Sequence, residues 1–152
     1  MATLDTNKYL DAVCLMVREG QENVPVPVKG VSMRPFLRNA DFAYLVRLPE
    51  KLKRGDIVLF QRLNGQYVLH RVYKIPERGN YLMLGDGQLE PEPVTESQLR
   101  AKVSFVRIGT EVCRPGSFRW WFFACPWLRL APWRPQIAKL LSLFRKKEKP
   151  AP

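Results

Sequence analysis

The chain has 152 residues, of which 46% are apolar, and it carries a net charge of +11. A chain of this length can fill one hydrophobic core and has little room for a second. The sequence contains no apolar run of the ~20 residues that a membrane-spanning helix needs. Its N-terminus also lacks the basic start and apolar stretch of a secretory signal. We therefore expect the protein to stay on the cytoplasmic side, where it is made.

The composition divides the chain into three parts. Residues 1–23 have apolar side chains at helical spacing and predict an amphipathic helix over Asp5–Glu19. Residues 24–113 form the predicted β domain. Residues 114–152 hold nine Lys or Arg and one acid, a net charge of +8, together with all four tryptophans. We expect this last part to be a basic, aromatic tail.

Short apolar runs separated by turn residues fill the middle part, and no helical pattern lies between them. The Asn64-Gly65 pair is a strong hairpin signal. These features predict a mainly β fold, either a sheet or a partly closed barrel of short strands, rather than βαβ units. The predicted strands are Val24–Val28, Phe42–Leu48, Ile57–Gln61, Gln66–Ile75, Tyr81–Leu84 and Ala101–Ile108.

A candidate nucleophile lies on a tight turn between the first two strands. In this turn Gly30 permits a sharp bend, Pro35 fixes φ downstream, and Ser32 lies between them. A serine needs a neighbouring base to act as a nucleophile. The alternative is a surface turn whose serine bonds to nearby backbone.

The sole histidine supplies a candidate base. His70 alternates with Val68 and Val72 on one face of a predicted strand. Imidazole has the basicity that this work requires, and it predicts activity that rises with pH through an apparent pKa near ~6.5. The alternative is a histidine with a core or surface role. Lys29 and Lys74 are possible substitute bases.

Three blocks, KGVSMRPFL, RGDIVLFQR followed by YVLHRV, and LMLGDGQLEPE, resemble in order and spacing the core of type I signal peptidases and the related LexA-like peptidases. The resemblance extends from about Val26 to Val106. Since a histidine precedes Arg-Val where most bacterial members have lysine, the chain is similar to the serine-histidine variant of endoplasmic reticulum and archaeal signal peptidases. The resemblance implies a LexA- and signal-peptidase-like β fold.

The resemblance also implies roles for individual residues. Ser32 would be the acyl-forming nucleophile, Met33 would shape its motif, and His70 would be the general base. Gly30 would let the scissile carbonyl approach closely, with the backbone N–H of Ser32 as an oxyanion donor. An acid would orient the imidazole. Asp86 matches the first acid of the family block, and Glu90 or Glu92 stands near the second.

The tail has three possible roles. Pro135 can begin a final helix with one apolar stripe, which is formed by Ile137, Leu140, Leu141 and Phe144. Aromatic and basic residues together suit the surface of an anionic membrane, which would make the protein peripherally membrane-associated. They could instead pack on the β domain as core. Nucleic acid is the least favoured partner.

The sequence therefore predicts a serine endopeptidase of the signal peptidase type, which cleaves an extended segment of a precursor protein, such as a signal or leader peptide. No metal or organic cofactor is implied. One alternative is a self-cleaving regulator of the LexA type. Another is a catalytically silent module that binds a membrane or partner through the same fold.

Overall fold

A computed structural model describes residues 2–147, with side chains described for residues 6–145. It contains four helices and eight strands in this part of the chain, together with short 3-10 turns at Glu96–Gln98 and Ala131–Trp133. The helices are α1 (Ala2–Arg18), α2 (Phe118–Ala124), α3 (Pro126–Arg129) and α4 (Arg134–Lys147). The strands are β1 (Val24–Pro27), β2 (Phe42–Val46), β3 (Ile57–Gln61), β4 (Tyr67–Lys74), β5 (Tyr81–Leu84), β6 (Glu92–Val94), β7 (Leu99–Ile108) and β8 (Glu111–Cys113).

All eight strands belong to one antiparallel sheet, in the order β1-β2-β7-β3-β4-β5-β6, with β8 paired to β7. The predicted mainly β fold is confirmed. Within residues 2–147 the two end strands, β1 and β6, do not pair with each other, so the sheet is not closed into a barrel.

Side chains cover both faces of this sheet, because the strand period of two sends neighbouring residues to opposite sides. In β3, Ile57 and Leu59 join the main core, which also contains Val17 of α1 and Trp120 of α2. Val58 of the same strand joins a second cluster on the opposite face. The N-terminal helix, the β domain and the start of the tail thus share one main core.

The tail divides into a packed part and an exposed part. Trp120 and Phe123 of α2 pack on Phe36, with ring centroids 5.7 and 5.2 Å apart, and Leu128 of α3 is fully buried. Residues Leu140, Leu141, Leu143 and Phe144 of α4 are more than half exposed. In the region that the structure describes, no helix is both long enough and apolar enough to cross a membrane. Residues 148–152 of the predicted tail lie outside the described residues.

Candidate active site

Ser32 lies on a loop that is closed at its base by two backbone hydrogen bonds. The N–H of Val28 donates to Asp41, and the N–H of Ala40 donates to Val28, over 2.7 and 3.0 Å. Gly30 has φ of +83°, in the left-handed region that glycine adopts without strain. Met33 is buried in the main core. The loop is therefore anchored on both sides of the half-buried Ser32.

A second loop, Gly85–Gln88, holds the backbone of Ser32. The N–H of Gly87 donates to the Ser32 carbonyl over 2.9 Å. A Cβ atom at Gly85 would lie 2.4 Å from that same oxygen, and one at Gly87 would lie 2.7 Å from the carbonyl oxygen of Arg34. Only glycine allows so close an approach between the two backbones. The Gly-Asp-Gly block therefore supports the serine turn.

His70 is almost fully buried on β4, opposite Val58 of β3 and with Phe60 against its ring at 5.7 Å. Burial lowers the pKa of His70 from 6.5 to about 4, because the charged imidazolium loses its water. The negative charge of Glu92 opposes this shift, and the positive charge of Arg62 adds to it. The imidazole is thus neutral at neutral pH. The expected midpoint near ~6.5 is corrected downward, since the sequence did not reveal this burial.

Glu92 is the acid that the structure brings to His70. Its Oε1 atom lies 3.4 Å from Nδ1 of His70. Arg62 donates to both of its carboxylate oxygens, over 3.0 and 2.7 Å, and these bonds lower the pKa of Glu92. Nδ1 of His70 is buried and has no hydrogen-bond partner within residues 6–145, so the ionised Glu92 is the charged group that faces it.

Asp86 has a different partner. Both of its oxygens accept hydrogen bonds from Arg71, over 2.9 and 2.8 Å, and Arg71 also donates to the carbonyl of Gly55 over 2.8 Å. Arg71 follows His70 in β4, and adjacent strand residues point to opposite faces. The predicted pairing of Asp86 with His70 is therefore not supported, because its carboxylate is committed to Arg71. Glu90 is exposed.

Ser32 and His70 line the same groove, which has a volume of about 560 Å³. Gly30 and Met33 also line it, so four of the predicted site residues meet there. Within residues 6–145, no hydrogen bond joins Ser32 to His70. Active-site hydrogen bonds are often long without substrate and tighten when it binds. No cluster of three His, Cys, Asp or Glu side chains suited to a metal occurs in the described part of the chain.

A family model with the description peptidase S24-like matches residues 1–106. The chain belongs to this family. The predicted superfamily of LexA- and signal-peptidase-like serine peptidases is thus confirmed. No curated protein and no solved structure matches the chain significantly. The S24-like match includes Ser32, His70, Asp86 and Glu92, and it ends before β8 and the C-terminal helices.

Two basic residues near the candidate site, Arg62 and Arg71, were not predicted. Arg71 stands in the HRV block beside His70, so its proximity to the site was visible in the sequence. Arg62 follows β3 and carries no recognisable motif. Of the two possible substitute bases, Lys29 lines the groove and donates to Thr6 over 3.1 Å. Lys74 is exposed, with its ammonium 5.6 Å from the ring centroid of Tyr73.

Proposed function

We propose that this S24-like protein is a serine endopeptidase in which Ser32 attacks the peptide carbonyl and His70 is the general base. The observation that supports the proposal is the shared groove, which is lined by both Ser32 and His70, the only histidine of the sequence. Burial keeps that imidazole neutral, which is the form able to accept a proton.

Each charged group near His70 then has a defined role. Glu92 faces Nδ1, which favours the tautomer with the proton on Nδ1 and leaves the lone pair of Nε2 free for the serine proton. As Ser32 attacks, His70 becomes positively charged in a poorly solvated site, and the ionised Glu92 stabilises that charge. Arg62 keeps Glu92 ionised. His70 then returns the proton to the departing amine.

The groove lies beside two unpaired strand edges, which suit an extended peptide. Tyr67 and Leu69 pair with β3 on one side, whereas β5 begins to pair with β4 only at Arg71. The carbonyl of Gln66 accepts from the N–H of Arg62, and the backbone of Val72 bonds to Gly55 and Asp56. Both residues therefore direct their backbone groups towards β3. Since bonding directions alternate along a strand, the backbone groups of Tyr67 and Leu69 point to the groove.

The opposite edge, β1, offers carbonyl groups but few donors. The backbone of Val28 bonds on the β2 side. Because bonding directions alternate along a strand, the backbone groups of Pro25 and Pro27 point away from β2. These residues offer carbonyl groups only, since proline has no N–H. The hydroxyl of Tyr9 donates to the Pro25 carbonyl over 3.3 Å. We therefore assign most backbone recognition of the substrate to β4. The apolar wall that includes Leu59 suits small apolar side chains near the scissile bond.

The serine-histidine variant of the signal peptidases is the subtype that we propose, because His70 precedes Arg-Val as in that variant. The proposed substrate is accordingly a signal or leader segment of a precursor protein. Self-cleavage would require a segment of this chain to enter the groove. The Ala-Gly or Cys-Gly pair expected at the cleavage site of a LexA-type regulator does not occur before Ser32 in this sequence.

Labelling with a fluorophosphonate, followed by peptide mapping, tests the nucleophile, and a library of precursor peptides tests the substrate. In the unaltered protein we expect the reagent to modify Ser32 and the library peptides to be cut. The control Ser142→Ala, which removes an exposed serine, should give the same two results. Ser32→Ala and His70→Ala should lose both activities. Absence of labelling and cleavage would favour the silent binding module, and a truncated product of the protein itself would favour self-cleavage.

We also propose that α4 attaches the protein to an anionic membrane surface. Three leucines and one phenylalanine of α4 are more than half exposed, and α4 packs mainly on the turn that precedes it. The exposed Lys139 and Arg145 add positive charge, and each cation near an anionic bilayer contributes ~1 kcal/mol. An interfacial helix combines these two features.

Flotation with vesicles that contain phosphatidylserine tests this attachment in the full chain. The double variant Leu140→Ser/Leu141→Ser should float far less than the unaltered protein, whereas Ser142→Ala should behave like it. Removal of residues 114–152 is a poor test, because Trp120 and Phe123 belong to the core. Equal flotation of all three proteins would exclude α4 as the attachment. If the unaltered protein forms a dimer in analytical ultracentrifugation and the double variant does not, the partner of α4 is a second copy of the chain.

A further inference from the structure

The Gly85–Gln88 loop is held from its outer side by the C-terminal part of the chain. The indole N–H of Trp127 donates to the Asp86 carbonyl over 2.7 Å. Nη1 of Arg134 donates to the carbonyls of Gly85 and Gln88 over 2.9 and 3.0 Å. Two side chains of the tail thus bond to three of the four carbonyl groups in this loop.

Arg134 and Trp127 also hold each other. Nη2 of Arg134 donates to the Trp127 carbonyl over 3.3 Å, and its guanidinium lies 5.0 Å from the centroid of the indole. Arg134 is only 3% exposed. Burial of a guanidinium is costly unless hydrogen bonds and opposite charge compensate it. A buried arginine whose bonds converge on one loop indicates that the loop needs a fixed conformation.

The same loop holds Ser32 on its inner side. Gly87 donates to the Ser32 carbonyl, and Gly85 and Gly87 lie against the serine turn too closely for a side chain. Glycine has the widest conformational freedom of any residue. The loop is closed internally by a bond from the Gln88 N–H to the Gly85 carbonyl over 3.0 Å, and the bonds from Trp127 and Arg134 restrict its shape further. Without the bonds from Trp127 and Arg134, its carbonyls would seek other donors and the support of Ser32 would loosen.

We propose that Trp127 and Arg134 are positioning residues, which fix Ser32 for attack through the Gly85–Gln88 loop. The proposal rests on the proposed peptidase function for its catalytic consequence. The clamp, defined as Trp127 and Arg134, lies beyond residues 1–106, which match the family model. This protein thus completes its active site with a segment outside the matched region.

Three variants test the clamp in the full chain. Arg134→Ala removes three donated bonds, Arg134→Lys keeps the charge, and Trp127→Phe keeps an aromatic ring without its N–H donor. The controls are Arg129→Ala and Trp133→Phe, since both residues are exposed and neither bonds to the loop. Trp127→Phe keeps the test valid if Arg134→Ala does not fold.

Two readouts are required, one of catalysis and one of structure. We expect Arg134→Ala to lower kcat by roughly 10- to 100-fold with little change in KM, because small displacements of a reacting group cost rates of that order. Trp127→Phe should have a smaller effect, and Arg134→Lys should recover part of the loss. Hydrogen exchange at the Gly87 amide, which bonds to Ser32, should accelerate in the same order.

The readouts separate the clamp from the peptidase function. Folded Arg134→Ala and Trp127→Phe proteins with unchanged Gly87 exchange would overturn the clamp, even if their activity fell. If the unaltered protein cleaves and labels nothing while Gly87 exchange still accelerates in the variants, the clamp stands and the peptidase function fails. Equal effects in the two control variants would also overturn the clamp.

Discussion

The pKa of His70 offers a direct test of the site, because the chain contains one histidine and its resonances are easily assigned. Burial lowers this pKa from 6.5 to about 4. A solvent-exposed histidine on the same strand would titrate near its ordinary value. We therefore expect the imidazole proton resonances of the folded protein to titrate with a midpoint about 2.5 pH units below that of the urea-unfolded protein.

The same shift predicts how stability depends on pH. Below pH 6.5 the unfolded chain binds a proton at His70, whereas the folded protein does not bind it until the pH approaches 4. The free energy of unfolding must therefore decrease as the pH falls from 6.5 to 4, and His70 contributes no further change below that range. At about 1.4 kcal/mol per unit, the full loss is about 3 kcal/mol.

Urea denaturation at pH 7.5 and pH 4.5, on the unaltered protein and on His70→Gln, measures this contribution. Other acids titrate in both proteins, so the difference between the two pH dependences isolates position 70. We expect the unaltered protein to lose about 2 to 3 kcal/mol more than His70→Gln between these pH values. If His70 is the general base for Ser32, the rate of Ser32 labelling should already reach its plateau near pH 6.

Two results would refute the reasoning. A folded-state midpoint between pH 6 and 7 would mean that His70 is solvated, and the argument for a desolvated neutral base would fail. Equal pH dependence of stability in the unaltered protein and in His70→Gln would lead to the same conclusion. Glu92→Gln serves as a control, since removal of the opposing negative charge should lower the midpoint further.

Three further variants probe the surroundings of His70 and Ser32. Glu92→Gln should slow the labelling of Ser32 by about 100-fold at neutral pH, because the imidazolium loses its charged partner; an unchanged rate would exclude Glu92 from the mechanism. Asp86→Asn leaves a buried guanidinium without its counter-charge and should cost about 3 to 5 kcal/mol of stability in urea. A loss of labelling with no loss of stability would instead return Asp86 to a catalytic role. Gly85→Ala places a methyl group 2.4 Å from the Ser32 carbonyl oxygen and should slow labelling at least tenfold, as measured by intact mass over time.

Six of the eight strands could be predicted because their signals are local, whereas β6 and β8 were not predicted. The Asn64-Gly65 pair gives the observed hairpin: Gly65 has φ of +92°, and its N–H donates to the Arg62 carbonyl over 2.9 Å. Alternation predicted that His70 shares one strand face with Val68 and Val72, and all three side chains are buried. Each of these predictions needs only turn chemistry or a period of two, which a short window of sequence contains.

The choice between acids could not be predicted. Glu92 begins β6, a strand of three residues with a proline and no alternating pattern. Its position next to His70 depends on the pairing of β6 with β5 and of β5 with β4, which are contacts between separate segments. The Gly-Asp-Gly block favoured Asp86, because it matched the first acid of the family block. The sequence around Asp86 does not predict the bond between Asp86 and Arg71.

The tail was only partly predictable for a different reason. The helix from Arg134 was expected close to its observed start, since Pro135 and the apolar stripe that follows are local signals. The short helices α2 and α3 were not predicted. Aromatic residues suit both a core and a membrane surface, so composition could not divide Trp120, which is buried, from Trp133, which is exposed.

The period of two along β4 explains how neighbouring residues serve different purposes. His70 directs its ring towards Phe60 and Glu92, whereas Arg71 reaches Asp86 and the ring of Phe36, whose centroid lies 5.1 Å from its guanidinium. Through Asp86, the side chain of Arg71 thus links the Gly85–Gln88 loop to the strand that carries His70. A slip of β4 by one residue would exchange the two side chains and bury the guanidinium against Phe60. The buried Arg71–Asp86 pair therefore favours the register in which His70 faces Phe60 and Glu92.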